Sequence, residues 1–472
     1  MNKKKPLTYP DIVSIVKNSK DYDAEMLSRI SLLSERCGEK IDLSLYDRYD
    51  VRRGLRNPDG TGVLAGLTRI SEIRSKETVN GEEIPIDGEL FYRGYSLRDL
   101  VNGFTKDKRF GFEETTYLLL FGDLPNSEEL NDFCDILSKY RTLPTTFVRD
   151  LIMKAPNSSI MNLMSRGVLS LYSFDTDPDN ISIPNVLRQS LQLISRFPML
   201  AAYSYQAYEY YLNGGNSFHI HDPVPELSTA ENILYMLRKD SKYTKLEARI
   251  LDQVLVLHAE HGGGNNSSFT ARVVSSSGTD TYSAISAAMG SLKGPKHGGA
   301  NAKVCQMMDD IKANVENWKD EEELRDYLGR IIDGKAFDGS GLIYGIGHAV
   351  YSKSDPRADI LRRSVKDLAN EKHREDELLL YSMVERISPE LIMKKHESRK
   401  LMSANIDFYS GFIYSMLDIP QEMFTPIFAI SRISGWCAHR IEELLSDSRI
   451  IRPTYNPIMP HREYTDLSDR TQ

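Results

Sequence analysis

The run from residue 423 to 445 constrains the fold most. It is long and rich in isoleucine, alanine and other small residues. A segment of that kind reads as a helix buried on most of its circumference, at the centre of other helices. Helical periodicity dominates elsewhere too. In residues 321–333, Leu324, Leu328, Ile331 and Ile332 fall on one face, and residues 377–384 read the same way. Strand signals are sparse. The best are residues 63–70 and the short run 90–92, flanking a charged loop, 74–87, that holds the turn pair Asn80-Gly81. The prediction is a mainly α chain with a little β near the N-terminus.

Composition narrows the class. With 472 residues, 40% hydrophobic and 27% charged, the chain has an ordinary soluble profile and length for a large core. A net charge of -8 argues against a surface that coats nucleic acid. Cys37, Cys134, Cys305 and Cys437 have no CxxC spacing, which fits reduced thiols better than a disulfide frame or structural zinc. No apolar run approaches the ~18 residues of a membrane span. Lys3, Lys4 and Lys5 lack the apolar stretch of a secretory signal. A cytoplasmic protein is expected, with no membrane and no nucleic-acid partner.

Residues 1–50 are charged and weakly patterned, and read as an N-terminal helical extension. Residues 213–225 form a polar, turn-rich connection. Chemistry concentrates after His258. In HAEHGGGNNSSFTAR, three glycines follow His261 and allow close backbone approach. His258 and His261 could share a metal, but no third ligand follows at useful spacing; a satisfied core histidine is the preferred reading of His258. In GPKHGGAN, His297 sits at or just before a helix resuming at residue 300. There the helix dipole disfavours imidazolium, and a neutral ring can donate to a carbonyl becoming an enolate. A loop histidine without a role is the alternative. In GIGHAVYSKSDPR, His348 follows two glycines and is joined by Lys353 and Arg357, a mixture suited to an anion, or else a solvated loop. Asp407 lies between Ile406 and Phe408, so burial would raise its pKa; a capping aspartate is the plain alternative.

Taken in order, these segments resemble the citrate synthase family over nearly the whole chain. The resemblance runs from LAGLTRIS at Leu64, through DGELFYRGYSLRDL ending at Leu100, to the dipeptide Arg452-Pro453. The block HxxHGGGN, GPxHGGAN and GxGHAVxxxxDPR, with near-family spacing, is its most specific part. The resemblance implies a two-domain, mainly α fold: a large helical domain over 51–298 plus 413–472, and a small one over 299–412. It implies His297 as donor to the thioester carbonyl, Asp407 as base for the methyl proton, and His348 as the group polarising the ketone of oxaloacetate. His261 and Asn265 would bind oxaloacetate, with Arg357, Arg432 and Arg452 clamping its carboxylates. Arg452 would reach in from the second subunit of a homodimer. No metal and no permanently bound cofactor is implied; acetyl-CoA, or propionyl-CoA, is a cosubstrate.

Departures from the family pattern bear on the CoA contacts. Lys296 stands where an apolar residue is common, Gly262 where some members carry an acid, and Ser352 where others carry a base that meets a CoA phosphate. Lys353, Arg362 and Arg363 are the substitutes for that role. The first functional reading is citrate synthase and the second 2-methylcitrate synthase. A protein that keeps the fold as an inactive binding module, and a metal-dependent hydrolase, are readings of other classes.

Overall fold

The structure, a computed structural model, describes residues 24–38, 40–348, 350–397, 402–446 and 449–470. They fall into two units, one of residues 65–446 and one of residues 24–64 with 449–470. The second unit holds the short helices Ala24–Ser34 and Ser44–Arg48 and is largely exposed. The expected helical extension over 1–50 therefore lies partly outside the described residues, which begin at 24.

The larger unit is helical, with one small sheet among its described residues. Helix Phe424–Leu445 is its axis. Trp436, Arg432, Cys437 and His439 on it are fully buried, and it packs against helices Ile183–Leu212, Asn266–Ser275, Phe112–Phe121, Lys245–His258 and Thr281–Lys293. Its small residues explain the crowding. At Gly435 a Cβ would meet Glu260 Oε2 at 2.3 Å and Ala259 O at 2.5 Å, so only glycine lets the two segments touch. The helix over 321–333 is found as Glu321–Ile332, with Leu324, Leu328, Ile331 and Ile332 buried as its periodicity predicts.

The β expectation needs correction. Residues 63–70 form no strand: Leu64 and Leu67 are 88% and 91% exposed. The charged segment 74–87 is instead largely strand. Ser71–Val79 (β1) pairs antiparallel with Glu82–Tyr92 (β2), and Tyr95–Ser96 (β3) adds to β2. Asn80 and Gly81 take φ of 54° and 87°, the two left-handed positions a two-residue hairpin needs. Charge misled because the far end of this ribbon is exposed on both faces, so it needs no apolar alternation. Only near Leu90 and Tyr92, where the ribbon meets the core, does the strand look like one by composition.

Candidate active site

Four helices begin where the motif residues cluster. Asn265 caps Asn266–Ser275, Asp355 caps Pro356–Glu371, Asn405 caps Ile406–Met416, and Gly299 precedes Ala300–Asn314. Each cap accepts a first-turn backbone N–H: Asn265 from Ser267 (3.3 Å), Asp355 from Arg357 (3.0 Å) and Asn405 from Asp407 (3.0 Å). Helix starts carry partial positive charge and favour anions.

These starts are joined to one another. Asp355 grips the Arg357 guanidinium through Nε (3.0 Å) and Nη2 (2.8 Å) and also accepts the backbone N–H of Ile406 (3.2 Å). Asn405 donates from Nδ2 to Gly347 O (2.9 Å) and from its backbone to Gly345 O (2.9 Å). One network thus holds Arg357, the loop before His348 and the helix bearing Asp407. Gly345 has φ 81°, and a Cβ there would meet Phe408 and Val304 below 3.0 Å; that position admits nothing larger.

The His348 ring lies 5.4 Å from that of His261 and 4.8 Å from that of Tyr351, centroid to centroid. Its Nδ1 accepts the backbone N–H groups of Val350 and Tyr351, each at 2.9 Å. With Nδ1 an acceptor, the ring's proton sits on Nε2. Nε2 is 3.3 Å from Arg357 Nη2, so this donor and the guanidinium face the same space. His261 is buried and its pKa is driven well down by burial and then by Arg357. His258 is wholly buried, its Nδ1 3.0 Å from Val254 O, and burial pushes its pKa down to about 3. It is a core histidine but not the satisfied one expected, since its Nε2 is buried with no partner among the described residues. No group of three or more metal-ligating side chains occurs among the described residues.

His297 lies in the tight turn before Ala300–Asn314, its N–H bonded to Gly294 O at 2.9 Å. Gly298 is required there, since a Cβ would meet Leu292 O at 2.3 Å. The pKa of His297 is lowered to about 4, by burial first and then by Arg432, so the ring is neutral at pH 7. His297 Nε2 is 3.1 Å from Ser267 Oγ, which also contacts Trp436 Nε1 (3.1 Å) and Asn265 Oδ1 (2.9 Å). Trp436 can only donate, so the hydroxyl has one proton and two acceptors competing for it. When it goes to His297 Nε2, the ring carries its own proton on Nδ1, ready for a carbonyl oxygen.

Arg432 binds the parts together. It is fully buried, its Nε donates to His258 O (2.6 Å), and Nη1 and Nη2 have no partner among the described residues. The guanidinium sits 4.8 Å over the Phe428 ring, which lies 6.3 Å from His297 and 4.5 Å from His258. Burial lowers its pKa to about 10, which leaves it charged at neutral pH. A buried cation with two bare nitrogens is costly unless an anion meets it. Its field also acts on Asp407. That carboxyl is surrounded by protein on most sides but half-buried by surface, and its pKa is raised to about 6, chiefly by burial. Arg357 opposes the rise and Asp355 adds to it.

The His261 and His348 rings and the Arg357 guanidinium meet, the charges of Arg357 and Arg432 bear on Asp407 and His261 and that of Arg432 on His297, and Asn265 is bonded to Ser267, which contacts His297. Arg452 belongs to the other unit and is exposed. Lys353 and Arg362 line a cavity of about 950 Å³ that Asp355 also lines. Lys353 pairs with Asp87 (3.4 Å), and Arg362 with Asp359 (3.3 Å) and Glu385 (3.6 Å). Arg363, next along the helix, is exposed and does not line that cavity. Sequence reasoning missed Ser267, Asp355 and Tyr351. Ser267 and Asp355 stand inside quoted motifs, two residues from Asn265 and from Arg357 respectively, but their value lies in contacts that spacing does not reveal.

Known proteins are similar to this chain in sequence and in fold. The family described as "Citrate synthase, C-terminal domain" matches residues 57–454. A citrate synthase of Deinococcus radiodurans is 35% identical over 413 residues, covering 87% of this chain and all of that protein. A 2-methylcitrate synthase of Corynebacterium glutamicum is 32% identical over 428 residues, covering 89% and 99%. Among solved structures, citrate synthase from Pyrobaculum aerophilum superposes with a TM-score of 0.69 at 29% identity, covering 86% of this chain and 94% of that one. A ternary complex of carboxymethyl coenzyme A and oxaloacetate with citrate synthase from Thermoplasma acidophilum gives 0.71 at 26% identity, covering 89% and 99%. With the family match spanning most of its length and whole relatives covered end to end, the chain belongs to the citrate synthase family.

Proposed function

We propose that this chain condenses oxaloacetate with an acyl-CoA, acetyl-CoA in the first reading, and hydrolyses the resulting thioester to citrate and CoA. One observation carries it: the buried guanidinium edge of Arg432, unpartnered among the described residues, whose charge, with that of Arg357, bears on the raised carboxyl of Asp407. Two arginine forks suit the two carboxylates of oxaloacetate. His348 Nε2–H donates to the ketone oxygen, and His261 and Asn265 complete the pocket. Asp407 takes a proton from the α-carbon of the acyl group while neutral His297 donates to the thioester carbonyl. Neither step is feasible alone, because the α-proton is too weakly acidic for a carboxylate without concerted stabilisation of the enol. The enol carbon then forms a bond to the ketone carbon, whose oxygen becomes a hydroxyl. Water cleaves the thioester and CoA leaves as the thiol. No permanently bound cofactor takes part.

The remaining assignments belong to the same proposal. Residues 299–412 close as a small domain over oxaloacetate, excluding water before the acyl-CoA reacts. Lys353, Arg362 and Arg363 meet the CoA phosphates in place of the base missing at Ser352. The protein is a cytoplasmic homodimer, with Arg452 completing the carboxylate clamp of the second subunit. No helix among the described residues is long and apolar enough to cross a membrane.

The Corynebacterium relative favours a second reading, 2-methylcitrate synthase with propionyl-CoA. The two substrates differ by one methylene, worth about 1–3 kcal/mol in an apolar pocket. Specificity constants for both donors with oxaloacetate, followed by release of free CoA thiol, decide between them. We expect the value for acetyl-CoA to be higher; a higher value for propionyl-CoA replaces the first reading with the second, and no thiol release from either ends both.

A further inference from the structure

Glu260 immediately precedes His261 and takes no part in the proposed chemistry, yet it is a wholly buried acid. A buried charge is costly unless its neighbours compensate it. Glu260 Oε1 accepts from Ser71 Oγ (3.0 Å) and lies 2.9 Å from His439 Nε2. His439 is itself oriented: its Nδ1 lies 2.8 Å from Arg272 Nη2 and 3.1 Å from Arg272 Nε. A guanidinium can only donate. Nδ1 is therefore an acceptor, and the ring's proton sits on Nε2, directed at Glu260. Arg272 is anchored in turn by Glu443 (3.0 Å) and Glu442. These contacts pin Oε1. Oε2 has no partner among the described residues.

The pinned carboxylate stands close to Arg432. Arg432 Nε donates to His258 O (2.6 Å), two residues before Glu260. A Cβ at Gly435, three residues beyond Arg432, would meet Glu260 Oε2 at 2.3 Å. Residues 258–260 therefore run beside residues 432–435, a stretch of roughly 5 Å along the helix axis. A buried anion and a buried cation, each with bare polar atoms, thus face the same helical turn. They do not bond. The guanidinium is directed over the Phe428 ring, toward the opposite end of the helix from Gly435. Each nonetheless sustains the other's charge. Against the pull of burial, Glu260 is the strongest charge keeping Arg432 protonated. Burial would also raise the pKa of Glu260; His439 and then Arg432 outweigh it and hold it at about 2.

We propose that Glu260 is a positioning residue. It is a pinned counter-charge that steadies the buried Arg432 guanidinium in the unliganded protein. Held out of reach by Ser71 and His439, it leaves Nη1 and Nη2 for a substrate carboxylate. A carboxylate free to swing would close a salt bridge and occupy those nitrogens. The same charge repels a dianion, so the protein holds oxaloacetate less tightly than its arginines alone would. The effect on oxaloacetate rests on the condensation reading above; the pairing with Arg432 does not.

Thermal melts of the unliganded full chain test the pairing, in Glu260→Gln, Arg432→Met and the double variant. The amide keeps an oxygen for Ser71 and His439 and removes the charge. Glu260→Gln should lower the Tm by a few degrees where Arg432 is present, as breaking a buried pair does. In the Arg432→Met background it should lower the Tm by less than half as much, or raise it. Calorimetric titration with oxaloacetate alone should show the affinity of Glu260→Gln raised about threefold to thirtyfold, because a like charge near the dianion is gone. A merely structural residue would weaken it. Equal Tm changes in the two backgrounds overturn the pairing, and an unchanged or weaker affinity overturns the effect on substrate. If Glu260→Gln alone does not fold, the double variant must; failure of both overturns the proposal. The melts use no substrate, so they still decide the pairing if oxaloacetate fails to bind the unmodified protein, a result that would end the condensation reading instead.

Discussion

Replacing Asp407 with Asn will lower kcat by about 10²–10⁴-fold while leaving oxaloacetate affinity within a few-fold of the unmodified protein. The amide keeps the shape of the carboxyl and the cap from Asn405 to the backbone N–H of residue 407, but it cannot accept the α-proton. The same carboxyl sets a pH limb. With its pKa at about 6, the base is ionised above that value, so kcat/KM rises with pH through about 6 and is level above it. Stability carries the opposite sign. The folded pKa lies above the ordinary 3.8, so the folded chain holds the proton more tightly than the unfolded chain and loses stability as pH rises from about 4 to about 6. At pH 7 the ionised group costs up to about 3 kcal/mol, less where cavity water screens it. Asp407→Asn should therefore melt higher than the unmodified protein at pH 7 and equally near pH 4. Thermal melts at the two pH values, beside steady-state kinetics, check this. A variant that loses activity and stability together would make Asp407 a structural residue.

Replacing Arg432 with Met will raise the KM for oxaloacetate between about 30-fold and a few thousand-fold, the range for truncating one partner of a buried charge pair. The unliganded protein should not suffer in proportion. Arg432 is buried with Nη1 and Nη2 unpartnered, and an apolar side chain of similar volume in such a place is often neutral or stabilising. The one bond lost is from Nε to His258 O. The expected pattern is an unliganded Tm close to or above that of the unmodified protein, and loss of the Tm increase that oxaloacetate gives. If oxaloacetate still raises the Tm of Arg432→Met, the dicarboxylate binds elsewhere.

The contrast between these two residues shows what the sequence makes legible. Asp407 and Arg432 stand in short motifs, and their candidacy is legible through the resemblance of those motifs, taken together, to the citrate synthase family. Their electrostatic character is not. The low pKa of His297 comes from burial against helix Phe424–Leu445, more than a hundred residues later in the chain. The orientation of Arg357 comes from Asp355, which also caps its helix and reaches the start of another. Neither follows from a one-dimensional pattern. The long helices were legible because a buried face imposes a strict period. The hairpin was legible at Leu90 and Tyr92, where it touches the core, and at the Asn80-Gly81 turn; the charged strands between them follow no hydrophobic rule. Residues 63–70 show the converse error, an apolar run with no ladder partner.

Hydrogen exchange at the acyl carbon tests the central claim most directly. The full chain is held in D2O with acetyl-CoA and malate, which fills the oxaloacetate site but offers no ketone to attack, and deuterium in the methyl group is followed by mass spectrometry. The predicted result is steady incorporation by the unmodified protein, slowed at least about a hundredfold in both Asp407→Asn and His297→Ala, with the thioester intact. Exchange at the same rate in either variant would contradict a neutral imidazole and a carboxylate acting together on that carbon.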